Sequence, residues 1–330
     1  MDRRKYPVTI ASRFMALNSQ IETLMPILTP SSVLLGFLFS STLVQLKPFV
    51  PWFFALMTLS GSLKLRVRDL GTVVRNPLPV LGFFVSAHVL MPLAALGVSK
   101  IFLPGDADTT AGFVLLFATP TAVSAFIWVS MFNGDGALAL AIILLDTLVS
   151  PFVVPFTTSL LLGADIVMDT SAMATSLIQM IVAPTILGVA LHELTRGAAQ
   201  KLAGPFLGPI SKLCIIIVVS ANAAAIAPQV SLGGARTWII GAIGMLLVSI
   251  GFVLGRLVGF LPYLGGARSR TLVFSVGLRN SVSAATLATS YFPDAAALPA
   301  ILAMIFQQSL AAVYGRLLLG KQAAKDAEKS

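Results

Sequence analysis

Phe274-Ser-Val-Gly-Leu-Arg-Asn-Ser-Val-Ser283 carries a guanidinium inside an apolar run. Arginine keeps its proton in proteins. At a bilayer centre that charge costs about 2.5–3.5 kcal/mol on insertion scales. Gly277 and Asn280 flank it, and both weaken a helix. A permanent cation at a helix break, in a segment that otherwise reads as membrane-spanning, points to a functional site.

The rest of the chain supports the membrane reading. Of 330 residues, 57% are hydrophobic and 11% charged, whereas soluble domains carry about a quarter charged residues. The net charge of +9 collects at the ends of apolar runs, which suits loops beside anionic lipid. No basic-aromatic patch suggests nucleic acid as a partner. Cys214 stands alone, so no intrachain disulfide and no Cys/His metal cluster is expected. Asp2-Arg-Arg-Lys5 looks like a signal-peptide n-region, but no convincing cleavage site follows the first apolar run. Residues 1–23 therefore read as a cytoplasmic amphipathic lead-in, and 321–330 as a polar cytoplasmic tail.

A span needs about 20 mostly apolar residues. That ruler gives ten candidates, near 24–45, 50–64, 77–102, 110–132, 136–162, 172–193, 207–228, 235–261, 271–290 and 295–319. With the N-terminus inside, the inner segments hold Arg3, Arg4, Lys5, Lys64, Arg66, Arg68, Arg75, Arg196, Lys201, Arg268, Arg270, Arg316, Lys321 and Lys325. The outer ones hold Lys47, Lys100, Arg236, Asp106, Asp108, Asp165, Asp169 and Asp294. The positive-inside rule then predicts a multi-pass protein of the inner (plasma) membrane with both termini cytoplasmic.

Ten spans divide into five and five, and an odd number per half inverts the second half relative to the first. The expected fold is all-α, one domain over 24–320, with repeats at about 24–163 and 171–320. The fourth span of each half carries breakers, Ala118-Thr-Pro-Thr-Ala122 and Gly277-Leu-Arg-Asn280. Matched breaks in matched spans are the best sequence pointer to a substrate site.

Three stretches resemble the bile acid:sodium symporter family. They are Lys47-Pro-Phe-Val-Pro-Trp52 with Met57 to Leu65, Pro120 to Pro155 including Leu148-Val-Ser-Pro151, and Val276-Gly-Leu-Arg-Asn-Ser281. The resemblance runs from about residue 24 to 320. It implies ten helices in a panel and a core domain, with broken helices 4 and 9 crossing in the core. It also implies departures at the sodium sites. The family's Ser-Asn pair after the first break falls on Ala125 and Phe126, and its fifth-span Ser and Thr on Ala139 and Ile143. The shared Glu falls on Ser275, the crossing Gln on Arg279 and the third-span Gln near Ala87. Apolar side chains offer a sodium ion no oxygen, so sodium is not expected and no other cofactor is implied.

Arg279 then supplies the positive charge that a bound ion supplies elsewhere, or serves as an internally neutralised structural stand-in. Asp146 is the candidate partner. It shares a helix face with Ala139 and Ile143 at i, i+4 and i+7, and it either pairs with Arg279 or carries a proton. Asn280, Ser281, Ser275, Thr119 and Thr121 are candidate substrate contacts, although membrane hydroxyls often bond their own backbone. Gln307, Gln308, His88 and Phe126 are candidate cavity residues, and Arg256 is expected to snorkel to an interface.

The function implied is secondary transport of a small organic anion, pantoate-like or bile-acid-like, by alternating access. The alternative is an uncoupled anion facilitator or an anion-responsive membrane sensor. Protease signatures, including a second membrane Asp, are missing, so an enzyme is not expected. The arsenite-carrying relatives use a Cys near the first break, and Cys214 lies in the seventh span instead. Partners are the anion and the bilayer, and nothing specifies an oligomer.

Overall fold

The computed structural model describes residues 10–71, 77–163, 169–230, 234–260 and 265–327. Arg3, Arg4, Lys5, Arg75 and Asp165 lie outside the described residues. Within those residues the chain is helical, apart from loops and one isolated antiparallel bridge.

The helices are α1 (Ile10–Leu38), α2 (Ser40–Ser62), α3 (Leu78–Phe102), α4 (Ala107–Ala118), α5 (Ala125–Met131) and α6 (Gly136–Leu162). They continue as α7 (Thr170–Leu194), α8 (Ala198–Ile226), α9 (Ala235–Val258), α10 (Gly266–Gly277), α11 (Ser281–Tyr291) and α12 (Leu298–Ala327). Among the described residues, seven helical stretches are long and apolar enough to cross a membrane, while Ile27–Leu38 and α4 are apolar but shorter.

Both ends of the chain are more helical than expected. The residues read as a lead-in enter α1 at Ile10, and this part docks on α8. Lys212 Nζ donates to Asn18 Oδ1 at 2.7 Å, and the rings of Phe14 and Phe206 stand 5.0 Å apart. At the other end α12 runs to Ala327, through residues read as tail.

Short connections are fixed by carboxylate caps. The side chains of Asp106, Asp135 and Asp169 accept from backbone N–H groups at the starts of α4, α6 and α7. Helix α1 packs on α8, and α2 on α7 and α8; α9 runs along α10 and α12, and α3 along α4. The α9–α10 contact depends on Gly255, where a Cβ would stand 2.5 Å from the Leu272 carbonyl oxygen and 2.8 Å from Val273 Cα.

At the start of α4, Asp106 also accepts from Arg236 Nη2 at 2.7 Å, which ties α4 to α9. Burial alone would raise its pKa, but the bonds from Arg236 and Thr109 outweigh that and hold it below the usual carboxylate value. A lowered folded pKa contributes stability above the unfolded value, near pH 4, and that contribution is lost as pH falls through the folded value. The partners are 54% and 22% exposed, so the expected contribution is about 0.5–1 kcal/mol. Asp106→Asn should lower the melting temperature in detergent at pH 7, and the difference from wild type should shrink as pH falls below about 4, as followed by circular dichroism.

Candidate functional site

Two interruptions meet at the centre of the fold, and the sequence explains both. α4 stops at Ala118 because Pro120 excludes helical angles for the residue before it; Thr119 is extended at φ −63°, ψ 155°. α10 stops at Gly277, with Leu278 extended at φ −108°, ψ 103°. α11 restarts on an Asn280 cap, whose side-chain oxygen accepts from Ser283 N–H at 3.0 Å.

The two unwound segments pair antiparallel at Thr121 and Arg279. Ala122 N–H donates to Leu278 O at 3.0 Å, and Asn280 N–H to Pro120 O at 2.9 Å. These bonds flank the pair instead of joining it, which is the narrow kind of antiparallel pair that brings side chains close together. Each break thereby satisfies peptide groups that the other would strand in a membrane interior.

In such a pair the residues' own N–H and C=O point outward and need other partners. Thr121 N–H donates to Asp146 Oδ2 at 2.7 Å. Arg279 C=O accepts from Gln307 Nε2 at 2.8 Å, and Ser281 Oγ closes the corner by donating to Gln307 Oε1 at 2.7 Å. Thr121 Oγ1 donates across the crossing to Ser275 O at 2.9 Å.

Arg279 is 1% exposed and heads the largest fully buried side chains. Its Nη1 lies 3.8 Å from Asp146 Oδ2 and 3.5 Å from Thr121 Oγ1. Its Nε and Nη2 are buried and have no hydrogen-bond partner. The Asp146–Arg279 pairing therefore exists as a contact between charges beyond hydrogen-bond length. The short bonds of Asp146 go elsewhere, to Thr121 N–H and to His88, whose Nε2 stands 2.7 Å from Oδ1.

His88 reaches Asp146 from a single widened turn of α3, Ser86–Leu90, in which Met91 N–H bonds Ser86 O. Pro92 follows and cannot donate to the preceding turn, and widening that turn accommodates it. The imidazole stacks on Phe84, with centroids 5.4 Å apart at 25°. Its Nδ1 is buried without a partner.

The other candidates divide. Thr121, Ser275, Ser281, Gln307, His88 and Asp146 gather with Arg279, and the buried hydroxyl of Ser275 has no partner. Thr119 bonds its own helix at Leu116 O, and the Asn280 side chain caps α11. Gln308 joins Ser124 and Trp128 on the α5 side, where Phe126 packs among apolar neighbours. Ala125, Ala139 and Ile143 are buried in the apolar core or beside it. Arg256 donates to Ser269 Oγ at 2.8 Å and lies 4.1 Å over the Phe260 ring. Among the described residues no group of three His, Cys, Asp or Glu could hold a metal.

Sequence reading passed over Asn222. It is fully buried on α8, donates to Thr286 Oγ1 at 3.0 Å and accepts from Thr289 Oγ1 at 3.3 Å on α11. An amide among alanines in an apolar segment was the available signal. A cleft of about 600 Å³ beside Pro151, Phe152, Pro155 and Thr170 lies along the α6–α7 seam, away from the crossing.

Several apolar helices, two of them broken and stitched together around a buried charge, define a polytopic membrane protein. The comparisons agree, and the chain belongs to the sodium bile acid symporter family. The model of that family, described as the Sodium Bile acid symporter family, matches residues 51–231. The chain is 36% identical over 294 residues to YbaS of Bacillus subtilis (strain 168), described as an uncharacterized protein, covering 89% of this chain and 96% of YbaS. It is 25% identical over 294 residues to YocS of the same strain, an uncharacterized sodium-dependent transporter, covering 88% and 90%. It is also 27% identical over 267 residues to the probable sodium/metabolite cotransporter BASS1, chloroplastic, of Oryza sativa subsp. japonica, covering 79% and 63%. The family is one of transporters and not of enzymes.

Proposed function

We propose that this protein is a secondary transporter of a small organic anion, a pantoate-like or bile-acid-like monocarboxylate, and that it works by alternating access without sodium. The observation that carries the reading is the free edge of Arg279. Nε–H and one Nη2–H leave a guanidinium in parallel, at the spacing of the two oxygens of a carboxylate. That edge is buried and unpartnered, while Nη1 on the far side faces Asp146 and Thr121. A carboxylate seated there satisfies two orphaned donors at once. The hydroxyl of Ser275 supplies a further contact, and the segments at Thr121 and Asn280–Ser281 frame the site.

Counting each broken pair, α4 with α5 and α10 with α11, as one pass and adding α1 to the seven long stretches gives ten passes. We read them as two inverted groups of five in the inner membrane with both termini cytoplasmic. α1, α2, α7 and α8 form the panel, and the remaining helices form the core.

The names of the relatives support transport of a metabolite. Their sodium coupling is not carried over, because Ala125, Phe126, Ala139 and Ile143 put no side-chain oxygen where the family's ligands fall. A guanidinium 4 Å from a sodium ion would also repel it by about 4 kcal/mol at an effective dielectric near 20.

The test is uptake of a panel of radiolabelled monocarboxylates into proteoliposomes, in sodium buffer and in choline buffer. At least one anion should enter at equal rates in both. Strict dependence on sodium would end the sodium-free reading, and the absence of any uptake would end the transporter reading.

A further inference from the structure

We propose that His88 is a proton-binding site that couples one proton to each transported anion. The inference rests on the anion site at Arg279 described above and names the ion that drives it. The geometry first fixes one proton of the imidazole. Asp146 is a carboxylate that can only accept, so the 2.7 Å contact from His88 Nε2 to Oδ1 is an N–H donating to it. Nδ1 is buried and has no hydrogen-bond partner, and in the neutral ring it is a bare lone pair. That is the vacant proton position.

Asp146 itself is poorly placed to take the proton. Its Oδ2 holds the backbone N–H of Thr121 at 2.7 Å and faces Arg279 Nη1 at 3.8 Å. Protonating that oxygen would set a third donor against the Thr121 N–H and the guanidinium, and the crossing's link to α6 would weaken. The imidazole has no such structural duty at Nδ1. Its ring face lies on Phe84, an arrangement that favours a cation. It is also less completely enclosed than the two charged groups: its side chain is 6% exposed, against 1% for Arg279 and 0% for Asp146.

The charge count supplies the coupling. With His88 neutral, Asp146 and Arg279 cancel. An anion on the free edge of Arg279 leaves one uncompensated negative charge in a buried site, which is costly. A proton on Nδ1 restores neutrality. A proton arriving first, without the anion, leaves one uncompensated positive charge and is equally disfavoured. Each ligand therefore favours the other, which is the condition for symport. The cycle makes and breaks a single N–H bond: water on one side gives the proton to Nδ1 as the anion binds, and water on the other side takes it as the anion leaves.

The groups facing His88 are Asp146 on α6 and, behind it, Arg279. On the other elements packed here, the titratable side chains sit at or near helix ends. Arg236 engages Asp106, Arg256 engages Ser269, Arg268 stands by Asp135 and Arg270 donates to Asn133 O; Asp108 lies in the first turn of α4.

The test uses the full chain in detergent and the tightest-binding monocarboxylate of the uptake panel. Titration calorimetry at pH 7, in two buffers of different ionisation enthalpy, counts protons taken up per anion. About one proton per anion is expected for the wild type and none for His88→Gln, whose amide still donates to Asp146. In proteoliposomes, His88→Gln should exchange the anion more weakly than wild type and lose accumulation driven by a pH gradient. The chain has two histidines, and the second, His192, bonds Leu63 O. Side-chain nitrogen NMR of the wild type, assigned with His192→Gln, should show one N–H on His88 without the anion and two with it, whatever the fate of the His88 variant. Anion binding with no proton uptake and an unchanged His88 signal would overturn the proposal and leave the transporter reading standing. If no monocarboxylate binds, the anion site fails, and this inference fails with it.

Discussion

Asp146→Ala is expected to destabilise the protein by about 3–5 kcal/mol, the range for removing one partner from a buried charged cluster. The loss is that large because the carboxylate accepts two hydrogen bonds and faces a guanidinium. Thr121 N–H, His88 Nε2 and the Arg279 guanidinium would all be left in a site that water does not reach. Asp146→Asn keeps one acceptor oxygen and should cost roughly half as much. Thermal unfolding in detergent, followed by tryptophan fluorescence, measures both. A midpoint for Asp146→Ala indistinguishable from wild type would show that the carboxylate does not hold the crossing. Combining Asp146→Asn with Arg279→Gln removes both charges, so the double variant should be more stable than the sum of the single losses implies.

Arg279→Gln should lower monocarboxylate uptake by roughly 30-fold or more, since truncating one partner of a buried, hydrogen-bonded charge pair costs about 2–5 kcal/mol. Arg279→Lys retains the charge without the two-donor edge, so its loss should be smaller but clear. The readout is initial uptake rate against anion concentration, with the melting midpoint measured beside it. Wild-type anion affinity in Arg279→Gln would reduce Arg279 to an internal counter-charge for Asp146.

Much of this site could be seen in the sequence because charge and helix breakers are conspicuous in an apolar chain. Arg279, its neighbours Gly277 and Asn280, Pro120 in the first break and the lone intramembrane carboxylate of Asp146 all stood out on cost alone. What stayed hidden depended on register. His88 and Asp146 are 58 positions apart, and their meeting requires both the α3–α6 contact and one widened turn that no composition signal marks. The narrow pairing of Thr121 with Arg279 was equally invisible, because it follows from which carbonyls bond which amides. At the chain ends, hydropathy measured transfer into lipid, and helix propensity decided otherwise. Gln322-Ala-Ala-Lys-Asp-Ala327 is made largely of good helix formers, and α12 continues through it. At the other end, the polar start of α1 is held by its docking on Lys212 and Phe206.

The pairing of Thr121 with Arg279 also sets an order on biogenesis. Its two halves are separated by 158 residues, which a ribosome needs on the order of ten to thirty seconds to add. Throughout that interval residues 119–122 sit in the nascent chain with the backbone groups of a broken helix and no strand to receive them. The amino-terminal half therefore cannot complete its own fold. It must wait, partly hydrated or shielded by the insertion machinery, until α10 arrives and the two breaks close on each other.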